Sequence, residues 1–177
     1  MMSIIKKLEL KVEEHPDKLL YVFLDIKGKV KESYTYKEFF YRIRAIASNL
    51  YAIAALKPGD KVLLVYPPGL EMICAFFACV KLGVIPVPVY PPSAKGFHAS
   101  ADIMNVIAKN CNAAAVLSDR SYYWSIKVNL IRKNNALFLK KSDILSKLKW
   151  FVSDNFATSD WEEFPESHSD ILFLQYT

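Results

Sequence analysis

Glycine is scarce in this chain of 177 residues, with five in all, at positions 28, 59, 69, 83 and 96. No two of them stand at G-x-G or G-x-x-x-x-G spacing, so neither a dinucleotide-binding loop nor a Walker loop lies within these residues. Cysteine is scarcer still. Cys74, Cys79 and Cys111 make an odd set without a C-x-x-C pair, and the first two fall in an apolar helical run. Reduced, buried thiols in a reducing, cytoplasmic compartment are the expectation. His15, His98 and His168 are far apart, and none has a Cys, His or Asp at ligand spacing, so no metal site is assigned. A G-x-S-x-G elbow is missing, which removes the ordinary serine-hydrolase signature. Glu162 and Glu163 are adjacent carboxylates on a polar connection, where solvation is their ordinary role. No catalytic residue is assigned from the sequence.

Long unbroken apolar runs are also missing. Met1 to Ile5 is followed at once by Lys6, Lys7 and Glu9, which does not read as a signal peptide. The stretch from Val62 to Ala94 carries only Glu71 and Lys81 as charges, but Pro67, Pro68, Pro86, Pro88, Pro91 and Pro92 divide it. Its pieces fall short of the roughly 20 residues of a spanning helix, so no membrane span is expected.

What is present is a sequence for packing: 53% hydrophobic and 23% charged residues, enough for one domain with a core. A helix is expected from about Ser3 to Glu14, ended by His15-Pro16. Leu20 to Asp25 reads as a strand, and Lys27 to Glu32, around Gly28, turns into a second one. Thr35 and Glu38 have capping-box spacing. Phe40, Ile43, Ala47, Leu50 and Ala54 follow as one buried helical stripe, with Lys37, Arg42, Arg44 and Asn49 off it. Val62 to Tyr66 is a strand buried on both faces, Leu70 to Leu82 a helix stopped by Gly83, and Val84 to Tyr90 extended again. Pro86 and Pro88 cannot donate to a ladder and push that last strand to a sheet edge. Strand, helix, strand at this spacing is a βαβ unit with a parallel sheet. Further helices are expected at about 101–110, 122–133 and 143–148, with strands at 113–117 and 137–139 and extended chain at 150–152. Ile171 to Tyr176 reads as a buried strand. The fold class is therefore α/β: three layers, a mainly parallel sheet with helices on both faces, incomplete at its C-terminal end.

Charge is unevenly placed. Seven Lys/Arg lie between Lys127 and Lys149 against Asp143 alone, and no basic residue follows Lys149. A solvated basic face is the plain reading. A docking patch for an acidic partner, with Lys140, Lys141 and Lys147 at its centre, is the functional one. No aromatic-plus-basic motif supports nucleic acid as the partner.

Several stretches, in order along the chain, resemble the adenylate-forming enzymes. Pro16-Asp17-Lys18 with Tyr21-Val22-Phe23-Leu24 is similar to their entry segment. Tyr34-Thr35-Tyr36-Lys37-Glu38-Phe39 resembles the motif L-T-Y-x-E-L, and Val80 to Val89 resembles L-x-A-G-x-x-x-V-P. Phe173-Leu174-Gln175-Tyr176-Thr177 resembles the start of the motif that continues S-G-S-T-G-x-P-K-G. Tyr66-Pro67-Pro68-Gly69, Tyr90-Pro91-Pro92 and Trp150-Phe151-Val152-Ser153-Asp154 narrow the resemblance to the fatty acyl-AMP ligases. Two uses of the Y-P-P elements are open: stiff strand ends in a scaffold, or the lining of an acyl tunnel.

The resemblance implies that residues 1–177 are the N-terminal part of an AMP-binding domain, reaching only the start of the phosphate-binding loop, whose first residue is Thr177. It implies ATP and Mg2+ as cofactors of the complete enzyme, and a fatty acid and an acyl carrier protein as its partners. The segment alone is expected to bind no cofactor and to be inactive. An acyl-CoA ligase, an amino-acid adenylation domain and a non-catalytic module complementing a split enzyme are the alternatives.

Overall fold

The computed structural model describes residues 2–91, 97–125, 144–156 and 169–176. The first helix, α1 (Ile4–Glu14), starts where the Ser3 hydroxyl accepts the Lys6 N–H. Strands β1 (Leu19–Leu24) and β2 (Val30–Thr35) then form an antiparallel hairpin separate from the main sheet. Helix α2 (Tyr36–Ala54) begins at the expected capping box: Thr35 Oγ1 accepts from the Glu38 N–H, and the Glu38 carboxylate accepts from the Thr35 N–H.

The main sheet is built from β3 (Lys61–Val65), β4 (Ile85–Pro88), β5 (Ala115–Ser118) and β6 (Lys149–Val152). Every pairing is parallel and the order is β4-β3-β5-β6, which makes β3 central and puts the proline strand at an edge, as its missing donors require. Between β3 and β4 runs α3 (Leu70–Lys81), and between β4 and β5 runs α4 (Phe97–Asn110). Gly83, at φ +69°, ends α3: its N–H meets the Val80 carbonyl, and the Val84 N–H meets that of Cys79. This six-to-one and five-to-two closure needs a left-handed residue, which glycine takes without strain.

Alternation along the strands builds a core on each face. Val62, Leu64, Ala115 and Leu117 point toward α2 and α3, where Ile43, Ile46, Leu50, Cys74 and Ala78 meet them. Leu63, Val65, Val87 and Val116 point the other way, toward Met104 and Ala108 of α4 and Leu145 of the short helix Ile144–Lys147. Helices on both faces of a mainly parallel sheet make the expected three layers.

Residues 171–176 depart from expectation. They join no ladder, and Ile171, Leu172 and Phe173 are exposed. The edge they lie along explains this. The N–H groups of Ile85 and Val89 face inward, to the carbonyls of Asp60 and Leu64, so the nitrogens of Pro86 and Pro88 face outward and carry no hydrogen. That edge offers carbonyls only, and it takes one bond, from the Leu174 N–H to the Pro86 carbonyl at 3.1 Å. The strand expected at 137–139 and the second half of the helix expected at 122–133 lie outside the described residues.

Candidate functional site

In open parallel α/β sheets, ligands bind beyond the carboxyl ends of the strands. Here the ends of β3, β5 and β6 converge on a buried polar cluster of Arg42, Tyr66, Glu71, Ser118 and Ser153. Tyr66, one residue past β3, is buried, and its hydroxyl donates to Ser153 Oγ at 2.8 Å. Ser153 Oγ in turn donates to Glu71 Oε1 at 2.6 Å. Ser118, the last residue of β5, donates its hydroxyl to the Val65 carbonyl at 2.7 Å and so ties two strand ends together.

Arg42 closes the cluster from above. It comes from α2, and Glu71 from the first turn of α3, where its charge also suits the helix N-terminus. Arg42 Nε lies 3.0 Å from Glu71 Oε2 and Nη2 lies 2.5 Å from Oε1, a two-pronged pair. Its remaining donors reach the carbonyls of Ser153 (2.8 Å) and Phe156 (3.0 Å). Burial alone would lower the affinity of Arg42 for its proton, but the hydrogen bonds and attraction from Glu71 outweigh it and hold the guanidinium above its ordinary value. Burial pushes the Tyr66 phenol well up, against the opposing bond to Ser153, so it stays a neutral donor.

Beside the cluster, Asp119 accepts the Tyr122 N–H at 2.6 Å, and Asp154 accepts the Arg120 N–H at 2.8 Å. The Arg120 guanidinium also bonds Asn155. Burial raises the Asp119 carboxyl, with the Tyr122 bond pulling the other way. Chemically, the arrangement is a set of satisfied donors and acceptors that pins the start of α3 and residues 153–156 over the strand ends. It holds no activated nucleophile. The buried thiols add none: desolvation pushes Cys79 up to about 12 and Cys74 higher, and a protonated thiol is a poor nucleophile.

The two Y-P-P elements have different surroundings. Tyr66 is part of the scaffold just described, whereas Tyr90, past the edge strand, is 84% exposed. Trp150 to Ser153 does form the last strand and its turn, and Ser153 is where that stretch enters the cluster. Thr177, Glu162, Glu163, His168, Lys140 and Lys141 lie outside the described residues, as does the His98 side chain, while Lys147 is exposed. The sequence reading missed Arg42, which helical periodicity put off the buried stripe. A carboxylate in the first turn of an otherwise apolar helix, Glu71, was the available signal that a cation would be needed nearby. Among the described residues, no group of three or more His, Cys, Asp or Glu comes together that could hold a metal ion. Among them, no helix is long and apolar enough to cross a membrane.

Comparison with known proteins bears on what this frame belongs to. The chain is 32% identical over 161 residues to the medium-chain-fatty-acid–[acyl-carrier-protein] ligase JamA of Moorena producens, covering 89% of this chain and 25% of that protein. It is 33% identical over 103 residues to Disco-interacting protein 2 of Drosophila melanogaster, covering 58% of this chain and 6% of that one. Among solved structures, a fatty acyl-adenylate ligase from Legionella pneumophila, in complex with acyl adenylate and pyrophosphate, superposes with a TM-score of 0.74 at 31% identity. The match covers 99% of this chain and 28% of that one, so the chain spans about a quarter of the length of such relatives. The model of the family described as AMP-binding enzyme matches residues 8–177, and the chain therefore belongs to the AMP-binding, adenylate-forming enzymes, matching the N-terminal portion of their fatty acid AMP ligases.

Proposed function

We propose that this chain is the N-terminal segment of a fatty acid–AMP ligase that activates a fatty acid with ATP and passes the acyl group to an acyl carrier protein in the cytoplasm. In the first step a carboxylate oxygen attacks the α-phosphorus of ATP, and the bond to the β,γ-phosphates breaks to release pyrophosphate. In the second, a thiolate on the carrier attacks the acyl carbonyl, and AMP leaves. The observation that carries the reading is the similarity over 89% of the chain to a ligase whose named acceptor is an acyl carrier protein. The frame described above would be the scaffold on which residues elsewhere in such an enzyme act, with Thr177 opening the loop that holds the phosphates through backbone N–H groups and hydroxyls.

The test is a chimera in which the part of this chain that matches JamA, 89% of it, replaces the corresponding segment of JamA. The folded chimera should exchange pyrophosphate into ATP only when a fatty acid is present, and should load a carrier-protein thiol far better than coenzyme A. Preferred transfer to coenzyme A, or exchange driven by amino acids instead, would overturn the reading. The 177-residue chain alone should release no pyrophosphate with fatty acid and ATP. Robust release from it would refute the scaffold role.

A further inference from the structure

The β1–β2 hairpin has two unlike faces. On the inner one, Tyr21 and Tyr34 pack against Phe39, with ring centroids 5.0 and 6.5 Å away, and Glu32 turns in to accept the Leu70 N–H. An outer face exposed to water ordinarily carries polar residues. Here Val22, Leu24 and Val30 stand on it, Leu24 and Val30 as register partners and Val22 opposite the exposed Ser33, with Leu19 exposed at the base. The tip is more unusual. The Gly28 N–H meets the Asp25 carbonyl, the Asp25 N–H meets the Lys29 carbonyl, and Gly28 takes φ +76°, a closed turn that projects Ile26 into solvent at 102% exposure. Lys27 and Lys29 are exposed at the tip, and Lys18 and Lys31 are exposed along the strands, with Lys31 Nζ 5.7 Å from the centre of the Phe23 ring. From Lys18 to Lys31 the one acid is Asp25, whose carboxylate is already held by the N–H groups of Lys27 and Lys29 at 2.8 and 2.9 Å.

We propose that the tip and outer face of this hairpin dock onto an anionic lipid surface. A convex tip led by a bare isoleucine, with lysines on both sides, fits the boundary of a bilayer: the apolar groups enter the acyl region while the long cationic chains stay among the headgroups. Each lysine near such a surface strengthens binding on the order of fivefold, and salt weakens the attraction. The surface does not depend on the ligase reading, and its test involves no ATP; under that reading it would bring the protein to where free fatty acids partition.

The experiment uses the 177-residue chain with phosphatidylcholine vesicles, with and without phosphatidylserine. Ile26→Cys is labelled with an environment-sensitive dye, which reacts there selectively because Cys74, Cys79 and Cys111 are buried. The chain should sediment with the phosphatidylserine vesicles and not with pure phosphatidylcholine, and the dye emission should shift to the blue on binding. Lys27→Glu with Lys29→Glu should weaken binding on the order of 25-fold or more, and Leu24→Ser with Val30→Ser should weaken it as well. These positions are exposed, so circular dichroism should be unchanged. No sedimentation, or sedimentation with the dye still in water, would overturn the proposal. So would a dimer by light scattering that the hairpin variants dissolve, since the face would then be an interface between copies.

Discussion

Replacing Arg42 with methionine removes the donors of four hydrogen bonds: two to Glu71 and one each to the carbonyls of Ser153 and Phe156. Methionine keeps much of the side-chain volume, so packing changes little. What remains is a carboxylate without its counter-ion. Removing one partner of a buried pair costs about 3–5 kcal/mol, most of it the penalty of the charge left behind. Here the lower end applies, because the Glu71 side chain is 18% exposed and Ser153 Oγ still donates to it. The expected loss is about 3 kcal/mol. In urea, with a slope of about 2 kcal/mol/M, the midpoint falls by roughly 1.5 M. Arg42→Met combined with Glu71→Met removes the stranded charge and should recover about half of the loss, the remainder reflecting the two carbonyls left without a donor. The assay is urea unfolding followed by far-UV circular dichroism and tryptophan fluorescence in the two single variants and the double. A loss below about 1 kcal/mol in Arg42→Met, or a double variant no more stable than the single, would refute the claim that this pair holds the strand-end loops.

Two further expectations concern other parts of the frame. Glu9 of α1 accepts from Lys81 of α3 at 3.0 Å and from Lys6 at 3.2 Å; burial pushes its carboxyl up, but the two lysines outweigh that and hold it below the ordinary value of 4.5. A depressed carboxyl contributes stability above its unfolded value and loses it as pH falls through the folded one, so Glu9→Gln should be less stable at neutral pH and converge with the natural protein as the pH falls through the depressed Glu9 value, below 4.5. Parallel stability curves across that range would sink this account. Pro88→Val adds an outward N–H to the edge strand, so light scattering on warming should show faster aggregation; an unchanged rate would mean that the prolines do not protect that edge.

Much of the frame could be read from residue order. The βαβ unit from Val62 to Val89 showed itself because strands buried on both faces are continuous apolar runs and because Gly83 can end a helix in a left-handed turn. The capping box at Thr35 and Glu38 is local, within one helical turn, and so was legible. The Pro86 and Pro88 rule placed β4 at an edge correctly. The same rule, taken one step further, contradicts reading Ile171 to Tyr176 as a ladder strand, since a proline edge lacks the donors a ladder needs. Hydrophobicity called for a buried strand there, and the hydrogen-bonding capacity of the neighbour prevented it.

The local pattern by itself determined the type and order of these elements, because periodicity, caps and proline act over a few residues. Only tertiary structure decided that Arg42 is buried, that Tyr66 is locked to Ser153 while Tyr90 is exposed, and that Val22, Leu24 and Val30 of the hairpin are exposed. Arg42 and Ser153 are 111 positions apart, and Tyr66 and Ser153 are 87 apart. No periodicity spans such separations. These groups meet because parallel pairing in the order β3-β5-β6 brings the carboxyl ends of the strands together, and a charged donor buried at that meeting point must find an acceptor there.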